Sequence, residues 1–253
     1  MISALHQKII FDHYITKQIP EQKTKNLFEA TEKILKGIVE ALGQNKEFEG
    51  YRNKVENTIA DAYVAFIDIS GFSSKINGQA TDDVKSYLDD YYKEVIPIIK
   101  EFHGQIDKMM GDGIIVVFSD IFGYEYPESA GKSCLDFCMQ CVKNLENKPY
   151  AVKASIGSGK LNFCKIGVEE AYEEYSCVGH PMTIAFRLEQ YAKKNQIWML
   201  ASDPIASCVQ MDGYWMGHEE DVFLKGLDET KAFMCEYNSV VGGACECLKY
   251  NMT

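Results

Sequence analysis

The spacing of apolar residues changes abruptly near residue 62. Before it, Leu27, Phe28, Ile34, Leu35, Ile38, Val39 and Leu42 recur at helical intervals until Gly43, which predicts an amphipathic helix over about residues 21–42. A polar stretch, residues 44–57, reads as a linker joining this appendage to a main domain. From Ala62 the run YVAFIDI is compact and β-rich, and Gly71 just beyond it marks a turn. The segment ATDDVKSYLDDYYKEVIPIIKEF reads as a long helix, with Thr81 as its cap and Asp82 and Asp83 in the first turn, where the helix dipole favours acids. GQIDKMM and GIIVVF follow as two strands about the hairpin sequence Gly111, Asp112, Gly113. A second helix is expected over roughly 128–145, then VKASIGSG and KLNFCKIG as a strand pair, HPMTIAFRLEQYAKKN as a third helix, and IWMLAS and KAFMCEY as later strands. The order β-α-β-β-α-β with additions predicts an α+β fold, a ferredoxin-like core with an antiparallel sheet backed by helices. The expected organisation is a helical extension over residues 1–58, a main domain over 59–240 and a tail over 241–253.

With 253 residues, 46% of them hydrophobic, the chain can bury one full core and a small appendage. A net charge of −11 disfavours a broad surface for nucleic acid or anionic membrane, since both need clustered Lys and Arg; a phosphate ligand would be held locally. The first twenty residues hold one short apolar patch broken by His, Asp and Lys, too interrupted for a signal peptide and too short to span a bilayer. The expectation is a soluble, cytoplasmic protein with neither membrane nor nucleic-acid partner. The cysteines number nine and have no disulfide-framework spacing, which suits a reducing compartment. Cys134, Cys138 and Cys141 lie in an apolar helical pattern beside Leu135, Phe137 and Val142, so they read as buried thiols and not as metal ligands. Cys245 and Cys247 stand in the tail with no partner motif.

Two aspartates occupy positions that a core strand would not choose. Asp68 ends the apolar run FIDIS and Asp112 sits in the tight turn of KMMGDGII, so both carboxylates emerge at one rim of the sheet if their strands are neighbours. Taken singly, each could be a strand-end or turn residue. Together they form a pair of hard oxygen ligands suited to Mg²⁺ or Mn²⁺.

In that context F-I-D-I-S-G-F-S (residues 66–73) and K-M-M-G-D-G (residues 108–113), separated by 44 positions from Asp68 to Asp112, resemble the two metal-binding signatures of class III adenylyl and guanylyl cyclases. V-G-H-P-M-T-I-A-F-R-L-E (residues 178–189) resembles the family's transition-state helix, and L-K-G (residues 224–226) is a weaker fourth match. The resemblance implies an enzyme that uses two metal ions, Mg²⁺ or Mn²⁺, to convert a nucleoside triphosphate to a 3′,5′-cyclic monophosphate and pyrophosphate. It implies Asp68 and Asp112 as ligands of both metals with the carbonyl of Ile69 as an extra oxygen, and Gly71, Phe72 and Ser73 as part of a turn whose amides receive phosphate oxygens. Arg187 would meet charge on the α-phosphate, with a helix-surface ion pair to Glu189 or Glu173 as its ordinary alternative, and Lys225 would hold terminal phosphates or else be an ordinary solvated lysine.

Base choice falls on Lys108, which matches the adenine-contacting lysine of adenylyl cyclases, and on its partner position Ser176, where many bacterial adenylyl cyclases carry threonine. Thr183 replaces the asparagine that orients the ribose, and His180 and Pro181 replace small or acidic residues, so the ribose and base pocket departs from the family pattern. With only some sixty residues ahead of the core, the layout resembles the pyrimidine cyclases of bacterial anti-phage defence, which make cyclic CMP or cyclic UMP. CTP or UTP is therefore the favoured substrate, in a pocket where Tyr63 or Phe66 would fill the space of a purine's second ring. The alternatives are an adenylate cyclase and a catalytically inactive nucleotide-binding module. A diguanylate cyclase is disfavoured because its G-G-[DE]-[DE]-F hairpin is missing. The family pattern also implies a homodimer whose sites are shared between subunits.

Overall fold

A computed structural model describes residues 57–122, 127–168, 172–209, 214–227 and 230–240. The predicted helix over 21–42, nearly all of the 1–58 extension, and Cys245 and Cys247 in the tail lie outside the described residues. The chain divides into two compact units, one of residues 59–162 and 177–253, the other of residues 1–58 and 163–176. In the second, the Asn57 amide donates to the Phe163 carbonyl at 2.6 Å.

The expected core consists of β1 (Thr58–Ile69), α1 (Phe72–Ile76), α2 (Thr81–Glu101), β2 (Gln105–Met110), β3 (Gly113–Ser119), α3 (Pro127–Leu145) and β4 (Val152–Val168); all of it falls in the larger unit except Thr58 and residues 163–168 of β4. β5 (Tyr172–Val178), α4 (His180–Glu189), β6 (Gln196–Leu200), β7 (Trp215–Val222) and β8 (Thr230–Tyr237) complete the described elements. The sheet runs β2-β3-β1-β4-β6-β8-β7, with β5 paired to β4. Its first four strands have the ferredoxin-like order; the additions enter through one parallel contact, Ala154 opposite Ile197, while the β1–β3, β2–β3, β6–β8 and β7–β8 pairs are antiparallel.

Strand alternation gives the sheet two apolar faces. Ala65, Ile67 and Ile69 of β1 and Val152, Ala154 and Ile156 of β4 join Tyr91, Val95 and Ile99 of α2 and Leu135, Phe137 and Val142 of α3 in the main core. Cys134, Cys138 and Cys141 lie there fully buried, as the apolar pattern predicts, and burial pushes the Cys134 and Cys141 thiols up. The opposite face carries α4: Ile184 and Leu188 pack with Trp198, Val222, Leu224, Ala232 and Met234.

Several local expectations need correction. Ala80, extended at ψ 150°, is the N-cap of α2 and makes no side-chain cap bond; Thr81 is the first helical residue, with Asp82 and Asp83 in the first turn as expected. The two segments read as a strand pair form one strand, β4, because Gly157 marks a close approach and not a turn. A Cβ there would stand 2.2 Å from the Pro181 carbonyl oxygen and 3.0 Å from the Ala185 amide nitrogen. The third helix stops at Glu189, six residues early: Asn195 takes a left-handed φ of 65°, donates to the Val152 carbonyl and accepts from the Tyr237 amide, turning the chain into β6.

Because α4 backbone seals Gly157, Gly157→Ala should displace the helix and lower the free energy of unfolding by about 1–3 kcal/mol, read by urea denaturation.

Candidate active site

Antiparallel pairing of β1 with β3 sets Ile67 opposite Ile114. Asp68, one residue beyond Ile67, and Asp112, two residues before Ile114, consequently leave the sheet at the same end. Met110 stands opposite Gly113, so Gly111 and Asp112 are the two turn residues, and Gly111 supplies the left-handed φ of 63° that a tight hairpin needs. Asp68 and Asp112 are near enough for each carboxyl to act on the other. Burial, then hydrogen bonding of the protonated form to Asp112 and the like charge of Asp112, raise the Asp68 carboxyl to about 6, with Lys153 partly opposing the rise.

Lys153 lies on the α4 face of β4, with its ammonium 3.5 Å from Asp68 and 2.5 Å from Glu189 at the end of α4. This lysine belongs to none of the motifs read from the sequence; its signal was a single charge inside the apolar strand sequence VKASIG. The Glu189 pairing bears directly on Arg187. Arg187 is half-buried and makes no hydrogen bond or ion pair with another described residue, so the surface pair with Glu189 is not formed. Thr183 lies one turn before Arg187 on the same helix face and is exposed. His180 is the exposed first residue of α4 and Pro181 is buried at its start.

The predicted phosphate turn becomes the head of a short helix. The Ser70 amide is already committed to the Ala151 carbonyl at 2.9 Å. Gly71 is the N-cap of α1, Phe72 packs its ring 6.0 Å from Tyr87, and Ser73 is exposed. Gly71, Phe72 and Ser73 thus stand where the first amides of a helix have no intrahelical acceptor. The carbonyl of Ile69 lies at the end of β1, next to Asp68.

Lys108 stands opposite Ile115, which in turn stands opposite Phe66, so the three form a row on the α4 face. Phe66 packs on Phe186 of α4 with ring centroids 4.9 Å apart. Tyr63 belongs to the other face, beside Gly131 of α3. The β2 register slips between Ile106 and Lys108, and Asp107, the residue at that bulge, contacts the buried thiol of Cys177 at 3.7 Å. Ser176 is buried and falls in the unit with residues 1–58. Lys225 is exposed between β7 and β8, directly after buried Leu224.

The donor set fits a hard divalent cation. Two carboxylates pressed together favour a cation that cancels their repulsion, and no cluster of three or more His, Cys, Asp or Glu side chains suited to a metal occurs among the described residues. Remaining ligands would be carbonyl, water and phosphate oxygens, as Mg²⁺ ordinarily uses. Among the described residues, no helix is long and apolar enough to cross a membrane.

Comparison with known proteins bears on the fold and the family. The chain is 28% identical over 171 residues to the uncharacterised protein Rv1319c of Mycobacterium tuberculosis, covering 66% of this chain and 31% of that protein. It thus spans about a third of the length of the curated relatives it matches. Its fold is similar to the adenylyl cyclase CyaB from P. aeruginosa, with a TM-score of 0.62, 18% identity and coverage of 72% of this chain and 97% of that one. It is also similar to the non-canonical dimeric guanylyl cyclase domain of the RhoGC fusion protein from Blastocladiella emersonii, with a TM-score of 0.56, 17% identity and coverage of 71% and 98%. Residues 55–237 match the adenylate and guanylate cyclase catalytic domain, and the chain belongs to that family.

Proposed function

We propose that this chain closes a nucleoside triphosphate into a 3′,5′-cyclic monophosphate and releases pyrophosphate. The observation that carries the reading is the Asp68–Asp112 carboxylate pair held together at one end of the sheet. Asp68, Asp112 and the Ile69 carbonyl would hold two Mg²⁺ or Mn²⁺ ions, which when bound lower the pKa of an attacking hydroxyl and neutralise phosphoryl charge. The chain's own groups do the rest. Amides of Gly71, Phe72 and Ser73 receive phosphate oxygens at the head of α1. Arg187, which has no anionic partner among the described residues, meets charge developing on the α-phosphate. The Thr183 hydroxyl orients the ribose and Lys225 holds the terminal phosphates. Lys153, already shared between two carboxylates, offers a further cation to the triphosphate.

The proposed assembly is a homodimer in which Asp68 and Asp112 of one subunit face Arg187 and Thr183 of a second copy. A guanylyl cyclase domain of similar fold forms a non-canonical dimer, which supports dimerisation in general but not this particular sharing of sites. The proposed base is a pyrimidine, from CTP or UTP. What supports this reading is Phe66, packed on Phe186 and separated from Lys108 by Ile115 in the same row, as the side chain that would fill the space of a purine's second ring. Lys108 with Ser176 also suits adenine, so ATP is the second reading. In the cell the product would act as an anti-phage alarm signal. Phage plated on cells carrying the wild-type chain or Asp112→Ala tests that role, and equal plaque counts would remove it.

Incubation of purified protein with Mn²⁺ and each of ATP, GTP, CTP and UTP, followed by mass spectrometry, should yield cyclic CMP or cyclic UMP. Cyclic AMP alone makes the protein an adenylate cyclase, and no product from folded protein makes it a nucleotide-binding module. Asp112→Ala should abolish turnover, and Arg187→Ala should lower kcat by about 10²–10³-fold.

Mixing Asp68→Ala with Arg187→Ala protein should restore one working site per dimer. Mixed chains no more active than either alone would exclude shared sites.

The raised Asp68 pKa also gives a pH signature. A carboxyl whose folded pKa lies above its unfolded value stabilises the fold below the unfolded value, and that stabilisation is lost as pH rises through about 6. Because the divalent ion needs the ionised pair, Mn²⁺ should raise the melting temperature at pH 7.5 and have little effect at pH 5. An equal Mn²⁺ shift at both values would detach metal binding from this pair.

A further inference from the structure

Three tyrosines of α2 lie along the edge of the carboxylate site. Tyr87, Tyr91 and Tyr92 form, with Phe72 and Tyr150, a continuous series of ring contacts. Phe72 meets Tyr87 at 6.0 Å, Tyr87 meets Tyr150 at 5.7 Å, Tyr150 meets Tyr91 at 6.0 Å and Tyr91 meets Tyr92 at 5.5 Å. Tyr150, at the centre of the series, and Tyr91, next to it, are both buried, so the rings sit on a fixed base. The two outer hydroxyls leave the aromatic series and hold backbone. Tyr87 donates to the Pro149 carbonyl at 2.8 Å, an oxygen that also accepts from the Lys75 ammonium at 2.5 Å. Tyr92 donates to the carbonyl of Gly111.

The Tyr92 bond is placed where a small movement matters most. Gly111 and Asp112 are a two-residue turn with no sheet bond beyond Met110 and Gly113. The peptide between Gly111 and Asp112 carries the Gly111 carbonyl at one end and the Asp112 backbone nitrogen at the other. Fixing that carbonyl fixes the plane of the peptide and, through it, the direction in which the Asp112 side chain leaves the turn. Without the bond, a glycine turn with its wide backbone freedom would let Asp112 swing away from Asp68, which like-charge repulsion favours.

We propose that Tyr92 is a positioning residue: its hydroxyl, by holding the Gly111 carbonyl, keeps the Asp112 carboxylate facing Asp68 and so sets the affinity of the pair for a divalent cation. This rests on the reading of Asp68 and Asp112 as metal ligands. Tyr92 itself touches neither metal nor substrate in this role; it acts through the turn, as groups that orient metal ligands commonly do.

The test is Mn²⁺ titration of wild type, Tyr92→Phe, Tyr191→Phe and Asp112→Asn at pH 7.5, with free Mn²⁺ read by electron paramagnetic resonance. Tyr191 is the comparator because its hydroxyl also holds backbone, donating to the Phe223 carbonyl at 2.8 Å and accepting from the Phe223 amide at 3.2 Å, just past the end of β7. Tyr92→Phe keeps the ring and its packing, so its melting temperature without metal should stay close to that of Tyr191→Phe. Its Mn²⁺ dissociation constant should rise about tenfold, while Tyr191→Phe binds as wild type does. In turnover the loss should appear as a higher KM for Mn²⁺ with kcat kept at saturating metal. Wild-type Mn²⁺ affinity in folded Tyr92→Phe overturns the inference and leaves the metal reading standing. If wild type shows no Mn²⁺ binding that Asp112→Asn removes, the metal reading falls and this inference falls with it.

Discussion

Two carboxylates that repel each other, Asp68 and Asp112, are the contact on which the arrangement turns. Neither would choose this neighbour in a free chain. The β1–β3 register delivers them to the same end of the sheet, and the core beneath β1 keeps that register, because a slip by one residue would send Ile67 and Ile69 out of the main core and Asp68 into it. Packing energy gathered across the whole sheet is thereby spent at one point as electrostatic strain. A proton relieves that strain at low pH and Lys153 relieves part of it at any pH, but a doubly charged ion would relieve it most fully.

The sheet's two faces divide the work. Helices α2 and α3 cover one face and make it rigid, with Tyr87 and Tyr92 reaching around the edge to hold the loops. The other face carries the charged and reactive groups, Asp68, Lys153 and Lys108, and among the described helices α4 lies over it. The α4 helix can come so close because Gly157 has no side chain and because the Ser155 hydroxyl donates to the Ala185 carbonyl at 2.8 Å. Its last residue, Glu189, shares Lys153 with Asp68, so the position of the helix end and the charge balance of the carboxylate pair are linked through one ammonium group.

Much of this was legible in the sequence because it follows from periodicity or from residues in unusual places. The ferredoxin-like order follows from alternating patterns, and Asp68 and Asp112 stand out as acids at a strand end and in a glycine turn. What escaped reading depends on contacts between distant segments. VKASIGSG and KLNFCKIG look like two strands although they form the single strand β4, with α4 laid against Gly157, and Thr81 looks like a cap although the chain enters the helix at Ala80. The polar strand WMGHEEDV lacks clean alternation, since only Trp215 and Val222 are buried at its ends. Lys153 carries no motif of its own, and Tyr92 is one aromatic residue among several on α2; their roles are visible only once β4 and the Gly111 turn stand beside them.

Among the described residues that polar strand, β7, ends the sheet, paired to β8 on one side only. An open row of amides and carbonyls is a template onto which another chain can add, and sheets of this size are prone to such growth. Here the row runs through His218, Glu219, Glu220 and Asp221, so an approaching copy would bring a second set of acids against the first. At the other end, β2 is kinked by the bulge at Asp107. The β7 and β2 margins of the described sheet are therefore poor templates, a safeguard against fibrous aggregation when the protein is concentrated.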